Sequence, residues 1–276
     1  MTDAGTLEKF LADARVDPAV FALRPDYRAL LLAVDGLTPG PSDDASEALL
    51  QTARAAARAA LAGRPAEELP PVAAWRAAYR AFGAKPQRTR NSLEALLRRV
   101  ESGLPRVNRL TDVYNALSVL HQVPLGGEDL ARYTGAPRLI RAVGTEPFDT
   151  VSGGEEVIEH PEPGEVVWCD DDGVTCRRWN WRQGRRTQLR EDTTTALFIV
   201  DALDPMTTEA MRATADDLVE RLSRLGPDVR AARRLISPSL GLGFRAFWPQ
   251  SDLAAEAIGD RGDDSVVRER APDFRR

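Results

Sequence analysis

The hydrophobic pattern of the chain changes near Pro124, and this change limits the folds that are open to it. Before Pro124, apolar residues recur with the spacing of one helix face, and one such stripe is formed by Leu93, Leu96, Leu97 and Val100. After Pro124, short β-branched and apolar runs such as Thr193–Val200 predict strands. The acidic turn Asp170–Gly173 predicts a tight hairpin, because an Asp-Gly pair tolerates positive φ. The pattern therefore predicts a mixed α+β (α/β) fold with a central β-sheet flanked by helices.

Caps and periodicity place the individual elements along the chain. Helices are predicted at Asp43–Ala62 with Ser42 as cap, Val72–Phe82, the segment after Asn91, Thr111–Leu120 and Pro205–Leu225. Strands are predicted at Ala19–Leu23, Tyr27–Val34, Leu139–Val143, Val157–Glu159, Glu165–Cys169, Val174–Trp181, Thr193–Val200 and Ser237–Trp248. Gly126 and Gly127 are interpreted as part of a turn.

The length of the chain allows one large domain or two small ones, and a single domain over residues 1–250 is predicted. The chain has 276 residues, of which 43% are hydrophobic and 29% charged, so a sizeable core is expected over residues 1–250. The charged segment 252–276 is expected to be disordered. The absence of an apolar run of about 18 residues predicts no membrane partner. Two cysteines are too few for a disulfide framework, which fits a reducing cytoplasm, and the preference for Arg over Lys is typical of a GC-rich bacterial genome.

Positive charge is concentrated in two segments of an acidic protein. The net charge of −5 argues against a general nucleic-acid binder, and no DNA partner is expected. Residues 76–109 nevertheless contain mostly basic charges, and residues 177–190 contain arginines and no acid. Such local basic surfaces are compatible with one phosphate-rich partner. They are equally compatible with a solvated face that nearby acids balance in the folded protein.

A polar cluster offers the best candidates for a site. No phosphate loop, zinc-binding pattern or nucleophile elbow is present, and neither a metal nor a cofactor is expected. Asp112 and Asn115 lie about one helical turn apart, shortly after Asn108 and before Gly126-Gly127. A helix with both side chains on one face, followed by a Gly-rich turn, can line a polar pocket. Helix capping and solvent exposure explain the same pattern.

The segment Arg177–Gln183 combines arginine with tryptophan. If it is a regular strand, Arg178, Asn180 and Arg182 share one face, and the other face carries Arg177, Trp179 and Trp181. Arginine can contact phosphate and tryptophan can stack on an unpaired base. The tryptophans can also be core residues, and a bulge would place one of them in the core and the other near a pocket.

These motifs together resemble the B3/B4 domain, the editing module of the phenylalanyl-tRNA synthetase beta chain. The similar positions are Asn108, Asp112, Asn115, Pro124, Asp129, Glu165–Val167, Asp170 and Thr193–Thr195. Free-standing bacterial relatives also share Trp75-Arg76, Ser92–Leu96 and Arg177–Gln183. The resemblance is strongest over residues 75–203, and motifs for ATP-dependent aminoacylation are absent, so ligase activity is not implied.

The resemblance implies a tRNA-binding protein that hydrolyses mischarged tRNA at its aminoacylated 3′ end, and we expect this protein to be a monomer. The expected pocket residues are Asn108, Asp112, Asn115, Gly126, Gly127 and Asn180, of which Asn115 matches a pocket asparagine of the family. The expected tRNA contacts, taken from the two basic segments, are Arg88, Arg90, Arg177, Arg178, Arg182 and Trp179. The family histidine falls on Gly126, so this chain departs there. The Gly126-Gly127 backbone and the Asn115 amide are then candidate oxyanion donors, and Asp112 or Asp201 is a candidate base. Alternative functions are a tRNA- or synthetase-binding module without chemistry and an amino-acid sensor.

Overall fold

Helices form where polar caps precede apolar stripes. Asp43, Asn91, Asn108 and Thr207 each accept a backbone N–H with the side chain at the start of a helix. The computed structural model describes residues 4–238 of the chain. Its helices are α1 Ala4–Ala12, α2 Pro18–Leu23, α3 Asp44–Leu61, α4 Pro70–Ala81, α5 Ser92–Leu97, α6 Arg109–Leu120 and α7 Thr208–Leu222.

The strands form two main sheets and one hairpin. They are β1 Arg15–Val16, β2 Arg28–Asp35, β3 Leu125–Asp129, β4 Arg138–Arg141, β5 Phe148–Ser152, β6 Glu155–Glu159, β7 Val166–Cys169, β8 Val174–Arg177, β9 Arg182–Gln183, β10 Thr195–Ala202 and β11 Arg230–Ile236. A four-stranded antiparallel sheet has the order β11-β2-β10-β3, and a five-stranded sheet has the order β1-β4-β7-β8-β9. β5 and β6 pair with each other.

The four-stranded sheet is buried on both faces, as its apolar central strands require. Along β2, Leu30, Leu32 and Val34 face one core, which α3, α5, α6 and α7 cover. Ala29, Leu31 and Ala33 alternate onto the opposite face. There they pack in a second core with residues of the five-stranded sheet, including Trp168, and with Trp75 of α4. The second core is the one that holds the candidate site.

Most of the predicted elements are confirmed. The mixed α+β class holds, and the predicted stripe from Leu93 to Val100 is buried. The segment Pro18–Leu23, however, is a helix and not a strand, because Asp17 accepts the Ala19 N–H and Pro18 begins the helix. Asp43, rather than Ser42, caps α3. Helix α1 and the strands β1, β5, β9 and β11 were not predicted.

Two segments near the site differ from the predicted structure. Leu125–Asp129 is the edge strand β3, paired with β10, and not a turn at Gly126-Gly127. The predicted strand Val174–Trp181 ends at Arg177, and the chain turns before β9 begins at Arg182. Of the described helices, none has the length and apolar character needed to cross a membrane. The predicted tail 252–276 and nearly all of the predicted strand Ser237–Trp248 lie outside the described residues.

Candidate functional site

A pocket opens between the two sheets, beside the edge strand β3. Its volume is about 160 Å³. The lining residues come from α5, α6, β3, β7, β8, the β8–β9 turn, β9 and β10, and they are Ser92, Tyr114, Asn115, Leu125, Gly126, Glu128, Trp168, Cys176, Trp179, Asn180, Trp181, Arg182, Gln183, Ile199 and Asp201. The fold therefore brings together Asn115, Gly126 and Asn180, which the sequence predicts as pocket residues.

The turn between β8 and β9 forms one wall of the pocket. Arg178 and Trp179 adopt left-handed φ values of 47° and 69°, so the expected strand alternation fails. Trp179 is completely buried and makes an edge-to-face contact with Trp75 at 5.3 Å between ring centroids, so it is not available to stack on an RNA base. Trp181 is half-buried at the pocket. The prediction of one core tryptophan and one near the pocket is thus confirmed.

Gly126 and Gly127 differ in what surrounds them. A Cβ atom on Gly127 would lie 2.8 to 2.9 Å from Leu189, Phe198 and Tyr114, whereas one on Gly126 would meet only Nε2 of Gln183, at 3.7 Å. The Gly127 carbonyl oxygen accepts from Gln183 at 2.6 Å, away from β10. Backbone groups alternate along an antiparallel ladder, so those of Gly126 point toward β10. The Gly126 N–H is therefore used by the sheet and is not an oxyanion donor.

Two buried acids lie in the pocket wall. Asp201 is 3% exposed and Glu128 is 2% exposed. Burial raises the pKa of Asp201 to about 7, against the lowering effect of its hydrogen bond from Tyr27, which measures 2.6 Å. Burial also raises the pKa of Glu128 to about 7, against a hydrogen bond from Tyr133. Neither acid forms a salt bridge with another residue of the described range 4–238.

The three polar residues of the predicted cluster on α6 have different environments. Asn108 caps the helix through Thr111 and donates to the Leu189 carbonyl at 3.2 Å. Asp112 is completely buried and accepts from Ser42, Ser46 and the Val107 N–H. Neither lines the pocket, so the expectation that both do is wrong, and Asp112 has no access to serve as its base.

Asn115 is the member of that cluster that reaches the pocket. Its side chain is half-buried and makes no hydrogen bond to any residue that the structure describes. The buried neighbours Val113, Ala116 and Leu117 fix the rotation of α6 and turn Asn115 away from the first core.

The arginines of the 177–190 segment are largely committed to ion pairs. Arg177 is 6% exposed and contacts both oxygens of Glu165 at 2.9 Å. Arg178 contacts Glu165 at 3.4 Å and donates to Thr89. The predicted phosphate contacts at Arg177 and Arg178 are therefore not supported by the geometry. Arg182 lines the pocket and donates to the Val151 carbonyl at 2.6 Å.

A second basic group lies beside the pocket and shares Trp181 with it. Arg88, Arg90, Arg98 and Arg99 line a depression together with Ala95 and Trp181. Arg98 pairs with Glu94 and Glu67, but the exposed guanidinium groups of Arg88 and Arg99 form no salt bridge within the described chain. We call Arg88, Arg90, Arg98 and Arg99 the arginine surface.

Sequence reasoning missed a role for Glu128. Its signal was the spacing of two residues from Gly126, which puts both on one face of a strand, but the glycines favoured a turn.

Cys169 and Cys176 are buried free thiols. Within residues 4–238, no group of three His, Cys, Asp or Glu side chains is placed to hold a metal ion.

Comparisons with known proteins bear on this fold. An N-terminal fragment of the phenylalanyl-tRNA synthetase beta-subunit from Pyrococcus horikoshii is similar to this chain, with 13% identity and a TM-score of 0.41, over 79% of this chain and 49% of that one. The chain thus spans about half the length of that fragment. No curated protein matches it. The model of the B3/4 domain matches residues 74–227, more than half of the chain and every residue that lines the pocket. The chain therefore belongs to the B3/4 domain family.

Proposed function

We propose that this protein is a trans-acting aminoacyl-tRNA deacylase, which hydrolyses the ester of an amino acid wrongly attached to tRNA. The observation that carries the proposal is the pocket. The Asn115 amide, which has no hydrogen-bond partner among the described residues, and the buried Asp201 both line this cavity of about 160 Å³. The sequence resemblance to the editing module of the phenylalanyl-tRNA synthetase beta chain supports the same function. The tRNA itself is held in this proposal by the arginine surface.

The reaction needs few groups from the protein, because an aminoacyl ester is already reactive. A water molecule attacks the ester carbonyl carbon, the bond from that carbon to the ribose oxygen breaks, and the ribose oxygen takes up a proton. The products are the free amino acid and tRNA with its terminal hydroxyl restored. Holding the water and the ester in the correct geometry lowers the barrier, and donors aimed at the developing oxyanion lower it further.

Asn115 and Asp201 are the residues that fit this chemistry. The Asn115 amide can donate to the carbonyl oxygen as negative charge develops on it. Asp201 can take the proton from the attacking water, because a pKa of about 7 suits a general base near neutral pH. The vicinal ribose hydroxyl can pass the proton to the leaving oxygen.

The path from the pocket to the arginine surface supports a polynucleotide as the carrier of the ester. Trp181 lines both, so a strand whose end enters the pocket would pass this ring on its way to Arg88 and Arg99. A half-buried tryptophan at such a position can stack on a base. Arg182, beside the same ring, is a further candidate contact.

The test is hydrolysis of a panel of correctly and incorrectly charged tRNAs. We expect release of amino acid from at least one mischarged tRNA faster than in buffer, and loss of that activity in Asp201→Asn. The control is Asp35→Asn, since Asp35 is a buried acid outside the pocket, paired with Arg230 at 3.1 Å. A wild-type protein that leaves every charged tRNA intact refutes the proposal.

Gly126 favours a second candidate, a module that binds tRNA or a synthetase without chemistry. The resemblance places the family histidine at this position, and glycine has no side chain to replace it. Binding of charged tRNA without any release of amino acid is the result expected for this candidate.

A further inference from the structure

Glu128 is a buried acid to which the proposed reaction assigns no role. It lies on β3, two residues after Gly126, and lines the pocket. Tyr133 donates to its Oε2 atom, and the hydroxyls of Thr175 and Thr187 lie close enough to the carboxyl to lower its pKa, but no cationic side chain of residues 4–238 pairs with it. Its side chain is 2% exposed. The carboxylate therefore has only neutral donors at the wall of a cavity.

Among residues 4–238, no cationic side chain pairs with either acid of the pocket. An ionised carboxylate is strongly disfavoured in a buried site unless it is paired, and Asp201 adds a second acid to the same pocket. Arg182 also lines the pocket, but its guanidinium donates to the Val151 carbonyl and forms no salt bridge with either acid. A positively charged ligand group would offset both the desolvation cost of the two carboxylates and the repulsion between them.

We infer that the pocket binds a primary ammonium group, paired with the carboxylate of Glu128. In the substrate this group is the free α-ammonium of the aminoacyl moiety, an identification that rests on the proposed function. The volume of about 160 Å³ is close to that of cavities that accept benzene, about 150 Å³. The apolar lining includes Leu125, Ile199 and Trp168. The ligand class is thus an α-amino acyl group with a small to medium apolar side chain.

Binding of a small amine tests the ammonium site without tRNA. The probes are 3-methylbutylamine, which is protonated at pH 7, and 3-methylbutanol, its neutral analogue, with affinities measured by NMR titration. We expect the wild-type protein and Asp35→Asn to bind the amine at least about tenfold more tightly than the alcohol, and Glu128→Gln to lose this preference. Equal binding of the two probes to the wild-type protein overturns the inference, whether or not the variant folds. So does a preference that persists in folded Glu128→Gln.

Deacylation separates this inference from the function on which it rests. We expect any aminoacyl-tRNA that the protein hydrolyses to become a poor substrate, by about tenfold or more, when its α-amino group is acetylated. Equal hydrolysis of the free and the acetylated form would refute the ammonium site and would still support deacylase activity. Preferential binding of the amine, together with no hydrolysis of any charged tRNA, would support the ammonium site and refute the proposed deacylase activity.

Discussion

The β7–β9 region and the pocket with its neighbouring arginine surface both carry charged side chains, but only in the β7–β9 region are most of these charges paired with an opposite charge within the described fold. In the β7–β9 region Arg177 has Glu165 on one side and Glu159 on the other. Nearby, Arg186 contacts both oxygens of Asp170. Within residues 4–238, Glu128 and Asp201 in the pocket wall have no cation and the Asn115 amide has no hydrogen-bond partner. Arg88 and Arg99 of the neighbouring arginine surface have no acid in the same range.

This difference separates groups that hold the fold together from groups that are available to a ligand. A buried ion pair is strongly destabilising to break, because the remaining charge is left uncompensated. A group without a partner contributes little to the fold and can be removed with little loss of stability. Arginine density in the sequence therefore does not measure basic surface, because four of the six arginines in the segment 177–190 pair with acids.

The largest effect is expected at the Arg177–Glu165 pair. Arg177→Ala leaves Glu165 buried without its bidentate partner, so we expect a loss of about 3–5 kcal/mol in the free energy of unfolding. Chemical denaturation measures it. Arg88→Ala is the matched control and should stay within about 0.5 kcal/mol of the wild type. Similar small effects for both arginines would erase the distinction between the two regions.

The next effect is the pH dependence of stability contributed by Asp201. The groups that face it are Tyr27, Asn180, Trp168, Cys176 and Glu128. Its pKa of about 7 in the folded protein lies above that of the unfolded chain, so its proton is held more tightly in the folded state. Stability from this group is present at low pH and is lost as pH rises through about 7.

Comparison of the wild type with Asp201→Asn isolates this contribution. Between about pH 5 and 7 the stability of the wild type should fall relative to the variant by at most about 1.4 kcal/mol per pH unit. Urea denaturation at several pH values measures the difference. Parallel curves for the two proteins would mean that Asp201 is compensated like the arginines of the β7–β9 region.

A third prediction compares Asn115 and Asn108 on the same helix. Asn115→Ala should cost less than about 1.5 kcal/mol of stability and lower deacylation at least about tenfold, which is about 1.4 kcal/mol of transition-state stabilisation. Asn108→Ala removes a cap and a buried hydrogen bond, so it should cost about 1–3 kcal/mol and leave the rate per folded molecule unchanged. Thermal melts and initial rates on the same preparations decide. An early-melting Asn115→Ala with normal activity would place Asn115 among the structural groups.

The smallest effect on the protein itself is expected at the arginine surface. Arg88→Ala combined with Arg99→Ala should weaken tRNA binding and reduce the salt slope of log K by roughly two, one unit for each phosphate contact. Arg212→Ala with Arg224→Ala, two exposed arginines on or just after α7, should change neither. Filter binding at several salt concentrations measures the slopes. Equal slopes for the two double variants would assign tRNA binding to another part of the protein.

Local signals in the sequence were sufficient for most helices and for the position of Asn115. A polar cap and an apolar stripe lie within a few residues of each other, as at Asn91 and in the stripe from Leu93 to Val100, so they act before distant parts of the chain meet. The stripe of α6 likewise turns Asn115 away from the core without help from elsewhere. The hairpin at Asp170–Gly173 follows in the same way from its turn residues.

Only the tertiary structure decided which charges are free and where the pocket opens. Arg178 meets Thr89, which is 89 residues away in the chain, and β3 becomes a strand only because β10 pairs with it. That pairing turns Gly126 and Glu128 toward the second core and makes Glu128 a pocket residue. Burial and charge pairing depend on contacts between distant segments, and for this reason no local pattern of glycine, arginine or tryptophan could specify them.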